Sequence, residues 1–265
     1  MMRKGTISIL GCGWYGGPLA KALIADGYNV KGSTTKVEKL EVLKANGIEA
    51  FLVNLDKDTE IDTSFLDCEL LVISVPPQTK KEKIRDFISQ MSIVKIGAKN
   101  AGLKNILLIS SIGVYQDCNC IVDESVNPEP VNETGKILLE VENLLLEEAS
   151  FTTTVIRFGG LIGPNRNLAK HFAGKYNIPN GLAPINLIHL SDCIKLTQTI
   201  IENRAYGFIY NGVSPNHPNR KTFYTQACKD AGLDAPHFIE ELLDWKQVDS
   251  YRIPEVLQYP WEIKF

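Results

Sequence analysis

The apolar positions of this chain fall into two alternating patterns. Short runs at Thr6–Leu10, 28–32, 49–54, 70–75, 105–110 and 153–158 are rich in β-branched or large apolar residues, and Gly, Pro, Asn or Asp bound them. Runs that are apolar on both alternations predict strands covered on both faces, as in a parallel sheet. Between them, apolar residues recur at helical spacing. Leu19, Ala22 and Leu23 do so in 18–25, and Val37, Leu40 and Leu43 in 36–46. A longer helix is predicted over 80–101, with Ile84, Phe87, Ile88 and Met91. Another spans 134–149, with a stripe of Ile137, Leu138, Val141, Leu144 and Leu145. Gly27 and Gly47 stand where the first two helices would close.

Strands alternating with helices predict a Rossmann-type, doubly wound parallel sheet over residues 1–160. Beyond Gly160 the pattern changes. Gly163-Pro164-Asn165-Arg166-Asn167 reads as a turn, and 177–184 is dense in turn formers. Helices are predicted over 191–203, with Ser191 as N-cap, and over 221–231, stopped by Gly232. Residues 161–265 therefore read as a small substrate-capping region, interleaved with the sheet and not an independent domain.

Composition narrows the class. The 265 residues are 44% apolar, yet no run of eighteen uninterrupted apolar residues occurs, which excludes a polytopic membrane protein. Basic and acidic residues number 28 and 31, a net charge of −3, which argues against a nucleic-acid or anionic-membrane surface. The six cysteines are scattered, so free thiols in a reducing, cytoplasmic setting are expected. Their one close pair, Cys118-Asn119-Cys120, lacks the further ligands of a metal site. Met1-Met2-Arg3-Lys4 precedes an apolar run too short for a signal peptide.

Gly11-Cys12-Gly13-Trp14-Tyr15-Gly16 carries the strongest chemical signal. It follows an apolar strand and opens an amphipathic helix, the setting in which G-x-G-x-x-G binds a dinucleotide. Gly11 permits the tight turn, Gly13 lets backbone N–H groups reach a pyrophosphate, and Gly16 lets helix and strand approach. Trp14 and Tyr15 flank the same site. A carboxylate at the end of the second strand would select NAD; this chain has Ser33, Thr34, Thr35 and Lys36 there and no acid. Hydroxyls and a lysine suit a 2′-phosphate, so NADP is predicted over NAD. Val75-Pro76-Pro77 forms the rim of the expected cleft, and Arg166 and Lys170 are candidates for an anionic substrate.

Taken with Ser110-Ser111-Ile112-Gly113-Val114-Tyr115, Arg157-Phe158-Gly159-Gly160-Leu161-Ile162-Gly163-Pro164 and Asn186-Leu187-Ile188-His189-Leu190-Ser191-Asp192, these motifs resemble the extended or atypical short-chain dehydrogenase/reductases. Within that NAD(P)-dependent epimerase/dehydratase superfamily the chain looks most like the YeeZ-type proteins. The resemblance implies that Ser111 holds a substrate oxygen and that Phe158 lies near the nicotinamide. Active members carry a Tyr-x-x-x-Lys on the helix after the fifth strand, both side chains on one face. The lysine there corresponds to Lys136, but the tyrosine position holds Asn132, which cannot donate a proton near neutral pH. Tyr115 is the candidate replacement, and Asn132 or Thr134 can cap the helix. His189 reads as a hydrogen-bonded packing residue.

Relatives often pair through the helices at 80–101 and 134–149, so a homodimer is the matching expectation. Two functions follow, with the enzyme as the leading expectation and the regulator as the alternative. One is an NADP-dependent oxidoreductase or epimerase-like enzyme acting on a small hydroxyl or carbonyl substrate, conceivably sugar-linked. The other is a non-catalytic NADP-binding regulator or sensor, which explains the missing tyrosine better.

Overall fold

The computed structural model describes residues 4–56, 60–77, 86–263 and 265. Its centre is a seven-stranded parallel sheet of β1 (Thr6–Leu10), β2 (Asn29–Thr34), β3 (Glu49–Leu52), β4 (Leu70–Ile73), β5 (Asn105–Ser111), β7 (Thr152–Phe158) and β10 (Ile209–Gly212). Read across the sheet, the order is β3-β2-β1-β4-β5-β7-β10. The direction of winding reverses between β1 and β4, and a crevice opens beyond the carboxyl ends of the strands at such a switch point.

The period-two rule assigns the strand side chains to two cores. Ile7 and Ile9 face one side with Leu70, Val72 and Leu107. Leu10, Leu71, Ile73, Ile106 and Leu108 face the other. The first core is closed by α1 (Gly16–Ala25), α2 (Leu40–Ala45) and α7 (Leu190–Glu202), through Leu19, Leu23, Leu43, Leu196 and Ile200. The short α3 (Thr63–Leu66), α4 (Asp86–Asn100) and α5 (Glu133–Leu146) close the second, through Phe65, Met91, Val94, Ile137, Val141 and Leu145. Each such fully buried side chain contributes about 1.5–3 kcal/mol relative to exposure.

All six predicted strands and the major helices are present, with boundaries shifted by a few residues. The predicted helix 80–101 is seen as Asp86–Asn100; residues 80–85, Ile84 included, lie outside the described residues. The predicted helix 36–46 begins as a 3₁₀ turn, Val37–Lys39, before α2. His189, not Ser191, caps α7: its Nδ1 accepts the Ser191 N–H at 3.2 Å. The seventh strand, β10, comes from the capping region and pairs with β7.

Two further parallel pairs stand apart from the central sheet. β8 (Gly160–Ile162) pairs with β9 (Leu187–His189), and β6 (Cys120–Val122) with β11 (Lys246–Val248). The short α6 (Ala169–Phe172) and α8 (Arg220–Asp230) pack around an aromatic cluster in which Phe172 and Tyr224 lie 4.4 Å apart. Cys118 and Cys120 are joined by a disulfide where the cysteine pattern predicts free thiols; Cys12, Cys68, Cys193 and Cys228 are free. No helix among the described residues is long and apolar enough to cross a membrane.

Candidate functional site: a dinucleotide cleft at the sheet's switch point

The turn after β1 is held from three sides. Gly11 has φ +99°, a region favouring glycine, and its N–H donates to Ser33 Oγ at 2.9 Å. The Ser74 hydroxyl, from the end of β4, donates to the Gly11 carbonyl at 2.6 Å. A Cβ on Gly16 would stand 2.3 Å from that carbonyl, so only glycine lets α1 start this close to β1. By contrast, a Cβ on Gly13 would meet nothing within 4 Å. The space over Gly13 is open, and no side chain caps the first turn of α1. An open glycine beside an uncapped helix start fits a pyrophosphate, which takes backbone N–H donors and favours the helix's positive end.

The cleft of about 370 Å³ that opens here is lined by Gly13, Trp14, Tyr15, Gly16, Val75, Pro76, Ser111, Leu138, Phe158 and Arg166 among others. Tyr15 turns its ring edge to Phe158, centroids 5.4 Å apart. The Tyr15 hydroxyl hydrogen-bonds Thr197 Oγ1 at 2.7 Å, which ties α1 to α7; burial pushes this phenol well up, only partly offset by the Thr197 bond. Ser111 lines the cleft, and its Oγ accepts the Gly113 N–H at 3.1 Å.

Around the end of β2 the predicted residues divide. Ser33 is buried and its hydroxyl is committed to Gly11, so it supports the turn. Thr34 Oγ1 accepts the Lys36 N–H at 3.2 Å, and the Lys36 side chain is exposed. The nearest following acid, Glu38, lies on the exposed 3₁₀ turn.

Two candidate catalytic residues lie elsewhere. Tyr115 is not in the cleft lining. It is buried, accepts from Arg157 Nη1 at 2.7 Å and donates to Asn211 Oδ1 at 3.1 Å. Burial raises its pKa, and the Arg157 charge pulls it back only in part. Its hydroxyl is spent as a strut between β7 and β10, not as a proton donor to a ligand. Lys136 is exposed and borders a separate surface concavity with Gln116, Glu129 and Glu140. Asn132 caps α5, its Oδ1 accepting the Gly135 N–H at 2.8 Å.

The α5 side chain that does reach the cleft is Leu138, two residues and about 200° around the helix from Lys136. Four residues before Leu138, on the same face, stands Thr134. The next residue on that face, Glu142, is fully buried; it takes Arg157 Nη2 at 2.6 Å and the Ser110 hydroxyl. The α5 residue that lines the cleft is therefore a leucine, and four residues before it on the same face stands a threonine; neither side chain titrates near neutral pH.

A family model described as NAD(P)H-binding matches residues 11–178, which include the glycine turn, Ser111 and α5. The chain belongs to this NAD(P)H-binding family. Protein YeeZ of Escherichia coli strain K12 is 30% identical over 262 residues, covering 97% of this chain and 95% of the relative. The fold is shared with MoeE5 in complex with UDP-glucose and NAD (TM-score 0.82, 15% identity, 98% of this chain and 95% of that one). It is shared also with UDP-glucuronic acid 4-epimerase from Bacillus cereus in complex with NAD (0.80, 19%, 98% and 94%). A functionally unknown conserved protein from Silicibacter pomeroyi DSS superposes with a TM-score of 0.79 at 21% identity, covering 98% of this chain and 94% of that one. The chain is thus an NAD(P)H-binding homologue of YeeZ, on a fold that it shares with these NAD-bound structures.

Sequence reasoning missed Leu138, the Glu142–Arg157 pair and the contact between Arg166 and Trp14. The first was within reach: Leu138 lies on the apolar stripe 137, 138, 141, 145, and Lys136 lies off it.

Proposed function

We propose that this protein binds NADP(H) in the cleft beyond β1 and β4 and acts as a non-catalytic NADP(H)-binding regulator or sensor. The observation that carries this reading is Leu138, the α5 residue that lines the cleft, with Thr134 four residues before it on the same helix face. When bound, a nicotinamide cofactor supplies a hydride donor or acceptor. Use of that hydride on a carbonyl or hydroxyl needs a proton moved at the oxygen, and where α5 lines the cleft it offers neither a phenol nor an ammonium for it. Burying Leu138 against the ligand instead gives a dry, apolar wall.

Support for NADP over NAD comes from the absence of an acid at the end of β2 and the presence of Thr34 and exposed Lys36 there. A carboxylate would repel a 2′-phosphate; this surface does not.

A second reading keeps an enzyme: an NADP-dependent oxidoreductase or epimerase-like activity on a small hydroxyl or carbonyl compound, conceivably sugar-linked. It is favoured by Ser111, which lines the cleft with Phe158 and whose hydroxyl could hold a substrate oxygen. Calorimetry and a coupled absorbance assay separate the two. The expected result is tighter binding of NADPH than NADH, and no NADPH consumption across carbonyl compounds and nucleotide sugars. Turnover that Ser111→Ala abolishes would replace the regulator with the enzyme, and tighter NADH binding would reject the cofactor choice.

A further inference from the structure

Arg166 and Trp14 are 152 residues apart in sequence and stacked in the fold: the guanidinium carbon sits 4.4 Å from the indole centroid. The contact is built, not incidental. Gly163 and Asn165, with φ of +146° and +62°, bend the chain into a tight turn closed by the Arg166 N–H on the Gly163 carbonyl at 2.9 Å. Trp14 Nε1–H then donates to the Pro164 carbonyl at 2.8 Å and fastens that turn to the glycine loop. Stacking on an aromatic face fixes a planar guanidinium without consuming its five N–H donors.

The stack puts a full positive charge in the cleft wall, beside Gly13, Gly16 and the positive end of α1. Arg166 makes no ion pair among the described residues. Asp230 borders a second concavity with Arg166, whose lining does not include Gly13 or Gly16. Two positive groups converging without a counter-charge repel each other, and an anion between them removes that cost.

We propose that Arg166, held by Trp14, gives the protein a side-chain grip on the pyrophosphate of the dinucleotide. The inference rests on the NADP(H)-binding reading and adds to it a residue from the capping region. Pyrophosphate is preferred to the 2′-phosphate because Trp14 lies within the glycine motif, whereas Thr34 and Lys36 follow β2. Closure of the 163–166 turn onto Trp14 thereby couples coenzyme binding to the region that covers the sheet.

Calorimetric titration of the full chain and its Arg166→Ala and Arg166→Lys variants with NADP+ and NAD+ tests this. Arg166 is exposed, so folding should survive, and thermal unfolding confirms it. Loss of a charged hydrogen-bond donor predicts that Arg166→Ala weakens both coenzymes by the same factor, roughly 10- to 100-fold. Arg166→Lys should recover part of that loss, since it keeps charge but not the planar stack. Unchanged affinity in Arg166→Ala, with wild-type binding intact, overturns the inference and leaves the cofactor reading standing. A loss confined to NADP+ also overturns it and reassigns Arg166 to the 2′-phosphate. No heat from wild type with either coenzyme is a different result: it removes the cofactor reading itself.

Discussion

Gly13 and Gly16 sit three residues apart in one motif, yet the space around them differs completely. A methyl at Gly16 collides with the Gly11 carbonyl, a backbone atom that cannot rotate away; a methyl at Gly13 enters empty space. Gly16→Ala should therefore destabilise the fold by about 1–3 kcal/mol, the usual cost of overpacking, and lower the urea midpoint. Gly13→Ala should leave that midpoint nearly unchanged but weaken NADPH binding at least tenfold, because the added methyl occupies the ligand's approach. Equal effects of the two on stability would show that the turn is packed alike at both glycines and would remove the geometric case for a pyrophosphate there. The motif's chemistry was legible from the residue types, since a strand–glycine turn–helix register requires no tertiary information. The motif also divides the roles, Gly16 to packing and Gly13 to the ligand; the Ser74 hydroxyl that fastens the Gly11 carbonyl was not legible, because it meets the turn from across the sheet.

Helix α5 shows how a correct element can carry a wrong residue assignment. The apolar stripe foretold the helix and its buried face, and Asn132 caps it as an Asx side chain can. The motif comparison nevertheless placed Lys136 in the site, although it is exposed between the buried residues Gly135 and Ile137. Rotation about a helix axis is fixed by packing, and the buried Glu142–Arg157 pair fixes it here. Breaking such a pair leaves an unpaired buried charge, so the rotation is strongly held. Lys136→Ala is expected to change NADPH affinity by less than about twofold, because the side chain faces solvent away from the cleft. Leu138→Ala should cost about 2–5 kcal/mol in urea unfolding through lost burial and a residual cavity, and should also loosen NADPH. A large binding loss in Lys136→Ala would place the lysine in the cleft after all and reopen the enzymatic reading.

Across the molecule, the capping region is not a lid laid on a finished sheet; it supplies β10 and α7 to the sheet's own layers and then returns through β11 to β6. Its interleaving was foreseen only in outline, because β10 is four residues long and β6 and β11 three each, too short to show periodicity. Two buried carboxylates hold the returning chain. Glu124 accepts the Asn211 N–H at 2.7 Å, the Ser250 hydroxyl and the Tyr251 N–H at 3.1 Å. Asp192, at the start of α7, accepts the Tyr259 hydroxyl at 2.7 Å and the Glu262 and Ile263 N–H groups at 2.9 and 3.1 Å. Because Asp192 stands three residues after His189, which with Leu190 borders Gly163 of the turn that meets Trp14, residues 259–263 are fastened to the same end of the molecule as the dinucleotide cleft. Hydrogen bonds to a charged acceptor contribute about 1.5–3 kcal/mol each. Asp192→Ala removes all three acceptor contacts at once and leaves those donors to water. Amide hydrogen exchange at Glu262 and Ile263 should then accelerate at least tenfold, while amides of β1, β4 and β5 keep wild-type protection. Protection that persists at the tail would mean that Tyr259 and Trp261, packed against each other at 5.2 Å, hold it by apolar contact alone. A uniform loss of protection through the sheet would instead make the tail part of the folding core, since local opening and global unfolding differ in how far the effect spreads.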